Sequence, residues 1–166
     1  PKPLLDEFGT DAVRMGMMVG RSPADSASYA PSKIVSARNF CNKLWNVARF
    51  SEGMLEEKNA NSAHAKPVTP ADHWMLSKLQ HTISAVSSHL DNYRMSEAYE
   101  ALYHFVWDDF ADWYIESSKR ELNPDLLIYG LKSVLKLSHP FAPFVTETIW
   151  QTLEATGDSL LARENW

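Results

Sequence analysis

Ser32-Lys33-Ile34-Val35-Ser36-Ala37-Arg38-Asn39-Phe40-Cys41-Asn42-Lys43-Leu44-Trp45-Asn46-Val47-Ala48-Arg49-Phe50-Ser51-Glu52-Gly53-Met54-Leu55-Glu56 is the stretch on which the fold turns. At about 100° per residue, Ala37, Phe40, Cys41, Leu44, Val47, Ala48, Met54 and Leu55 gather within about 140° of arc. That is one core-facing side of a long helix. The opposite side carries Arg38, Asn42, Trp45 and Arg49 at i, i+4, i+7 and i+11, flanked by Asn39, Lys43, Asn46 and Phe50. A solvated face normally mixes both charge signs and lacks large aromatics. This one does neither.

Outward from this helix, punctuation sets the architecture. Thr69-Pro70 and Asn123-Pro124 each join a capping side chain to a proline at a first helical position, where the missing N–H costs nothing. Ser32 after Pro31, and Ser96, are further expected caps. These signals predict helices near 10–20, 32–56, 70–91, 96–121, 124–138 and 140–154, with strand-like alternation nearly absent. The stretch from Gly20 to Pro31 reads as a Ser/Ala/Pro-rich connection, and Lys58 to Pro67 as an exposed loop. The prolines of His139-Pro140-Phe141-Ala142-Pro143 end one helix and start another after a bend. The expected fold is all-α: an antiparallel helical bundle preceded by a short N-terminal helical junction.

Composition narrows the function classes. The chain has 166 residues with 16 Lys+Arg against 21 Asp+Glu, a formal charge of −5 that on its own disfavours a nucleic-acid partner. The distribution reverses that inference. Ser26 to Ser51 holds Lys33, Arg38, Lys43 and Arg49 with no acid, so a +4 stretch sits on a remainder of 12 basic and 21 acidic residues, or −9. One cysteine, Cys41, excludes an intrachain disulfide framework and fits a reducing compartment; its place on the core arc suggests a buried small residue. No apolar run approaches the roughly 18–20 residues that span a bilayer, and the start has neither a signal-peptide core nor an initiating Met, as expected of a piece of a longer chain.

The basic stripe suits single-stranded nucleic acid: Arg and Lys meet phosphate, Arg and aromatics stack on unpaired bases, and Asn reads a base edge. A solvated basic face with Trp45 tucked under a neighbouring helix has the same spacing. Asp108, Asp112 and Glu116 recur every four residues on the fourth helix, and their expected role is to face the basic helix in ion pairs or to stay solvated. A two-metal bundle site needs Glu-x-x-His on facing helices, and that spacing does not occur. His73, His81 and His89 fall eight apart and cannot share a ligand site. No Gly-rich phosphate loop, G-x-S-x-G or H-E-x-x-H is present, so the chain alone is expected to be non-catalytic. Lys119 and Arg120 suit a helix C-terminus. Trp113, Tyr114, Phe144 and Trp150 are expected to pack in the interior.

The segment Arg38 to Phe50 resembles the anticodon-binding helical bundle of class I aminoacyl-tRNA synthetases. Four more stretches agree in order: Phe8-Gly9-Thr10-Asp11-Ala12-Val13-Arg14, Asp72-His73-Trp74-Met75-Leu76-Ser77-Lys78-Leu79, Phe105 to Tyr114, and His139 to Trp150. The run Asn42-Lys43-Leu44-Trp45-Asn46 favours the valyl branch over the isoleucyl and leucyl ones. The resemblance implies a tRNA anticodon-recognition domain of a valine–tRNA ligase, which attaches valine to its tRNA using ATP and Mg²⁺. Residues 1–30 are then a stem-contact junction to the catalytic domain of the same chain, and 31–166 the bundle. The nucleotide-binding signatures and editing domain are expected outside this stretch, which should hold no cofactor or metal itself, and a C-terminal coiled coil is expected after it. The implied setting is cytoplasmic, monomeric and free of membrane. Carried onto this sequence, the resemblance and the wheel make Asn42, Asn46 and Arg49 base-contacting, Arg38 and Lys43 phosphate-contacting, Trp45 a stacking residue and Asn39 their neighbour. Trp113, Lys119 and Arg120 form a second, weaker patch. A helical bundle that docks a protein on the same stripe is the rival from another class.

Overall fold

The computed structural model describes residues 2–19, 30–153 and 159–165, which are predominantly helical and contain no strand. Helix α1 spans Lys2–Phe8, α2 Thr10–Met18 and α3 Pro31–Leu55. A 3-10 turn at Ser62–His64 precedes α4, Pro70–Asp91. Helix α5, Met95–His104, continues through a π-helical segment, Phe105–Tyr114, into α6, Ile115–Ser118. Helices α7, Pro124–Ser138, and α8, Pro143–Thr152, and a 3-10 turn at Leu161–Arg163 complete the described chain. The expected connection 20–31 lies outside the described residues from 20 to 29.

Four of the helices start with proline, whose fixed φ suits the first turn. The Thr69 and Asn123 caps form as the sequence predicts: Thr69 Oγ1 accepts from the Asp72 N–H at 3.1 Å, and Asn123 Oδ1 from the Leu126 N–H at 3.3 Å. Ser32 and Ser96 do not cap, because α3 already starts at Pro31 and α5 at Met95. Helix α8 likewise starts at Pro143 rather than 140, since His139 to Ala142 form the turn that leads α7 into it.

Contacts fix the helix directions. Phe40 meets Tyr99 and Tyr103, Lys43 meets Asp112, and Phe50 meets Lys119, so α3 and the α5–α6 rod rise together. Trp74 faces Trp113 and Lys78 faces Asp109, so α4 runs against them. Asn123 at the start of α7 bonds Asp72 at the start of α4, placing both starts at one end of the bundle. This is the up-and-down order that short connections impose. Ala12, Val13 and Met15 of α2 share the core of Ile34, Phe40 and Leu44. Gly16 allows that approach: a Cβ there would lie 2.7 Å from Ile34 Cγ1.

The expected regular helix over 96–121 is corrected by the π segment. Phe105 and Phe110, five apart, would diverge by about 140° on an α-helix, sending one to solvent. With N–H groups reaching back five residues, as Ile115 does to Phe110, both rings are buried and stacked with centroids 6.1 Å apart.

At the shared end, buried Asp72 collects four hydrogen bonds. Its carboxylate accepts from the N–H of Val68 and Thr69, the hydroxyl of Tyr114 and the side-chain amide of Asn123, at 2.8–3.1 Å. Burial, the largest single influence, raises its pKa, but the four donors together outweigh it and hold the carboxyl below 3.8.

Candidate RNA-binding face

Burial of Ile34, Ala37, Phe40, Leu44, Val47, Ala48 and Ser51 turns the opposite side of α3 outward. Arg38, Asn39, Asn42, Trp45, Asn46 and Arg49 are all exposed, and Trp45 retains 37% of its surface. The core arc differs from expectation at its edges, where Cys41, Met54 and Leu55 are only half-buried. Cys41 Sγ lies 3.9 Å from Met15 Sδ. Burial, and then the nearby charge of Asp11, push its thiol up to about 12, so it stays protonated.

Not every cation of the stripe faces outward. Lys43 Nζ lies 2.7 Å from Asp112 Oδ1 and 4.7 Å from the Trp107 ring centre. Lys33 Nζ donates to the Val19 carbonyl beyond the end of α2 at 3.2 Å. Arg38 and Arg49 have no ion-pair partner among the described residues. The acidic row of the π rod lies alongside, and its members are engaged: Asp108 with a ring nitrogen of His104 at 2.9 Å, Asp112 with Lys43, and Glu116 with Lys119 at 2.6 Å. Among the described residues, no three His, Cys, Asp or Glu side chains gather as metal ligands.

Part of the second patch joins the first. Lys119 Nζ sits 5.0 Å from the ring centre of Phe50, which is exposed beside Arg49, and Arg120 is exposed on the next residue. Trp113, expected in the interior, is 65% exposed and leans on Trp74 at 5.4 Å; Tyr114 and Trp150 are buried as expected.

On its other flank the stripe borders a cavity of about 370 Å³ between α3 and α8, lined by Arg38, Asn42, Trp45, Asp11, Phe144 and Thr148 among others. Phe144, expected in the core, is 61% exposed. The inward residues of α8 are Thr146, Ile149 and Trp150, and Phe144 lies about 200° round the helix from Thr146. That spacing was visible in the sequence; the cavity was not. A second cavity, of about 680 Å³, lies at the far end of α3 among Glu52, Glu56 and Glu57, whose charge opposes phosphate.

Fold and face together define an all-α module that presents an arginine-, asparagine- and aromatic-bearing helix to solvent. Residues 72–166 match the family described as the anticodon-binding domain of tRNA ligase. The chain belongs to this anticodon-binding domain family. A valine–tRNA ligase of Staphylococcus epidermidis is 40% identical over 178 aligned residues, covering all of this chain and 20% of the relative. One from Staphylococcus aureus strain JH9 is 39% identical with the same coverage. The chain thus spans about a fifth of the length of these relatives. A leucyl-tRNA synthetase of Agrobacterium radiobacter K84, solved as a ternary complex with tRNA and LeuAMS, superposes with a TM-score of 0.82 at 21% identity. That alignment covers all of this chain and 20% of the other, and it speaks for the fold alone.

Proposed function

We propose that the exposed face of α3 binds the anticodon arm of a tRNA, with tRNA-Val as the cognate, as part of a valine–tRNA ligase. The observation that carries this reading is the continuous outward row Arg38, Asn42, Trp45, Asn46 and Arg49, which shares its helix with no acid before Glu52. Asn42 and Asn46 supply donor–acceptor pairs for base edges, and Arg49 supplies a planar fork for a base or phosphate. Trp45 offers a stacking face, Arg38 meets phosphate, and Asn39 borders them. Lys43 reaches phosphate only by leaving Asp112. Phe50, Lys119, Arg120 and Trp113 extend the face toward the end of the rod. Valine activation with ATP and Mg²⁺ would fall to other parts of the parent chain, acting as a cytoplasmic monomer. Among the described residues, no helix is long and apolar enough to cross a membrane.

The test is a binding titration of this chain with tRNA-Val, anticodon-substituted tRNA-Val, tRNA-Ile and tRNA-Leu. Tightest binding to intact tRNA-Val supports the reading, and equal binding to all four reduces it to recognition of tRNA shape. Arg49→Ala should weaken binding by about 1–3 kcal/mol with the fold intact. Two phosphates neutralised by Arg38 and Arg49 give a slope of log K against log salt of about −1.4, and recruitment of Lys43 steepens it to about −2. An affinity independent of salt contradicts the picture.

A further inference from the structure

The cavity of about 680 Å³ at the far end of α3 has no part in the RNA reading. Its volume falls in the range of small-ligand sites, about 300–1,000 Å³. One wall is acidic, made by Glu52, Glu56 and Glu57, and Lys58 is the one cation of the described lining, so negative charge is in excess. The floor is apolar, with Leu55 of α3 and the buried Ile128 of α7 and Leu153 at the end of α8. The acids stand where local rules disfavour them. A helix C-terminus carries partial negative charge, yet Glu52 and Glu56 lie four apart on the last turn and cap of α3, with no basic residue in that turn. Glu57 has φ of 62°, the left-handed conformation that glycine usually supplies after a helix. Asp108, Asp109, Asp112 and Glu116 of the rod each hold a partner, whereas these three glutamates have none among the described residues. Ser51 is an independent sign. It lies one turn before Leu55 on the inward side of α3, is fully buried, and its hydroxyl has no hydrogen-bond partner among the described residues. Buried hydroxyls are as a rule satisfied, so this one calls for a donor from outside the chain.

These features select the occupant. Anions are repelled by the glutamates. A single metal ion would leave the floor unused, and among the described residues no three His, Cys, Asp or Glu side chains gather as its ligands. An uncharged apolar molecule would strip water from the carboxylates without pairing them. No aromatic ring is in the described lining, so a stacked base has no platform. A flexible chain of methylenes carrying more than one ammonium uses carboxylates, floor and hydroxyl together. We propose that the cavity binds an aliphatic polyamine, its ammonium groups paired with Glu52, Glu56 and Glu57 and donating to Ser51 Oγ, its methylenes on Leu55, Ile128 and Leu153. The site is separate from the RNA reading of α3 and stands without it.

The test titrates spermidine into this chain alone, by calorimetry at low salt and with no RNA present. One spermidine per chain should bind saturably and raise Tm. The double variant Glu52→Gln/Glu56→Gln should lose about tenfold in affinity, and Ser51→Ala about threefold. Without the amine, both variants should keep the parent's Tm or exceed it, since one removes like charges from a helix C-terminus and the other an unsatisfied hydroxyl. The control Asp6→Asn/Glu7→Gln, which removes the same charge from exposed positions of α1, should bind spermidine as the parent does. Full affinity in either cavity variant overturns the proposal, as does an equal loss in the α1 control, which would mark diffuse charge attraction. Displacement of spermidine by a lower concentration of a lysine-rich peptide would overturn it too, making the cavity a docking site for protein. None of these outcomes touches the RNA reading, which is measured by tRNA binding.

Discussion

Asp72→Asn replaces one carboxylate oxygen by an amide and should loosen the end of the bundle where α4 and α7 begin. Oδ2 of Asp72 accepts from Val68 N–H at 2.9 Å, Thr69 N–H at 3.1 Å and Asn123 Nδ2 at 2.8 Å, while Oδ1 accepts from Tyr114 Oη at 2.9 Å. An asparagine oxygen can keep the first three partners. Its NH₂ then faces Tyr114, whose hydroxyl must turn from donor to acceptor. Four charge-assisted bonds become neutral at about 1 kcal/mol each, and relief from burying a charge returns roughly half, leaving a net loss of about 2 kcal/mol. Asp72→Ala should cost more, about 3–5 kcal/mol, because the Tyr114 hydroxyl and Asn123 amide lose their acceptor and α4 loses its capping box. The pH dependence separates this account from simple misfit. Because the folded pKa of Asp72 lies below 3.8, its stabilisation is complete above that unfolded value and is lost as pH falls through the folded one. Urea unfolding followed by circular dichroism should show a gap between parent and Asp72→Asn that is steady near neutral pH and closes in strong acid. A gap equally wide at both extremes, or none at neutral pH, refutes the reasoning.

Asp112→Asn should release Lys43 from its 2.7 Å ion pair, raising RNA affinity and steepening the salt slope by about 0.7; the control Asp109→Asn, which frees Lys78 instead, should leave the slope closer to the parent's. Equal slopes in parent and Asp112→Asn would show that Lys43 never reaches phosphate. Gly130→Ala places a Cβ 2.7 Å from Phe110 Cε2 and should destabilise the packing of α7 on the π segment by about 1–3 kcal/mol, read as a lower Tm. An unchanged Tm would show that the ring moves aside freely.

What the sequence made legible is what local spacing encodes. The caps at Thr69 and Asn123 form, and the arc Ala37, Phe40, Leu44, Val47 and Ala48 is buried, because both depend on neighbours within one or two turns. The acidic row was expected to face the basic helix in ion pairs or to stay solvated; Asp112 pairs with Lys43 across 69 positions, while Asp108 and Glu116 bond within their own rod. Period 3.6 could not anticipate the π segment, since Phe105 and Phe110 share a side only when hydrogen bonds span five residues. Asp72 sits in the first turn of α4, but its partners Tyr114 and Asn123 lie 42 and 51 positions away, and nothing local announces them. Phe144 is exposed rather than interior because its phase on α8 sets it apart from the inward Thr146, Ile149 and Trp150, whatever its aromatic character.

The charge distribution sharpens once side chains have positions. Of the four cations between Ser26 and Ser51, Lys33 is held at the end of α2 and Lys43 by Asp112, while Arg38 and Arg49 keep no ion pair among the described residues. On the proposed RNA reading, the two arginines that α3 itself offers neutralise few phosphates, so its electrostatic contribution is modest and its salt slope shallow. Discrimination on that reading then comes from the groups placed to read bases: Asn42, Asn46 and Trp45. The neighbouring row of Asp108, Asp112 and Glu116 works in the same direction. It repels phosphate at that flank, and it restrains Lys43 and Lys119, the two lysines that could otherwise hold RNA without regard to sequence. On this arrangement, neutralising the acidic row should strengthen binding to every RNA while narrowing the difference between cognate and non-cognate anticodons.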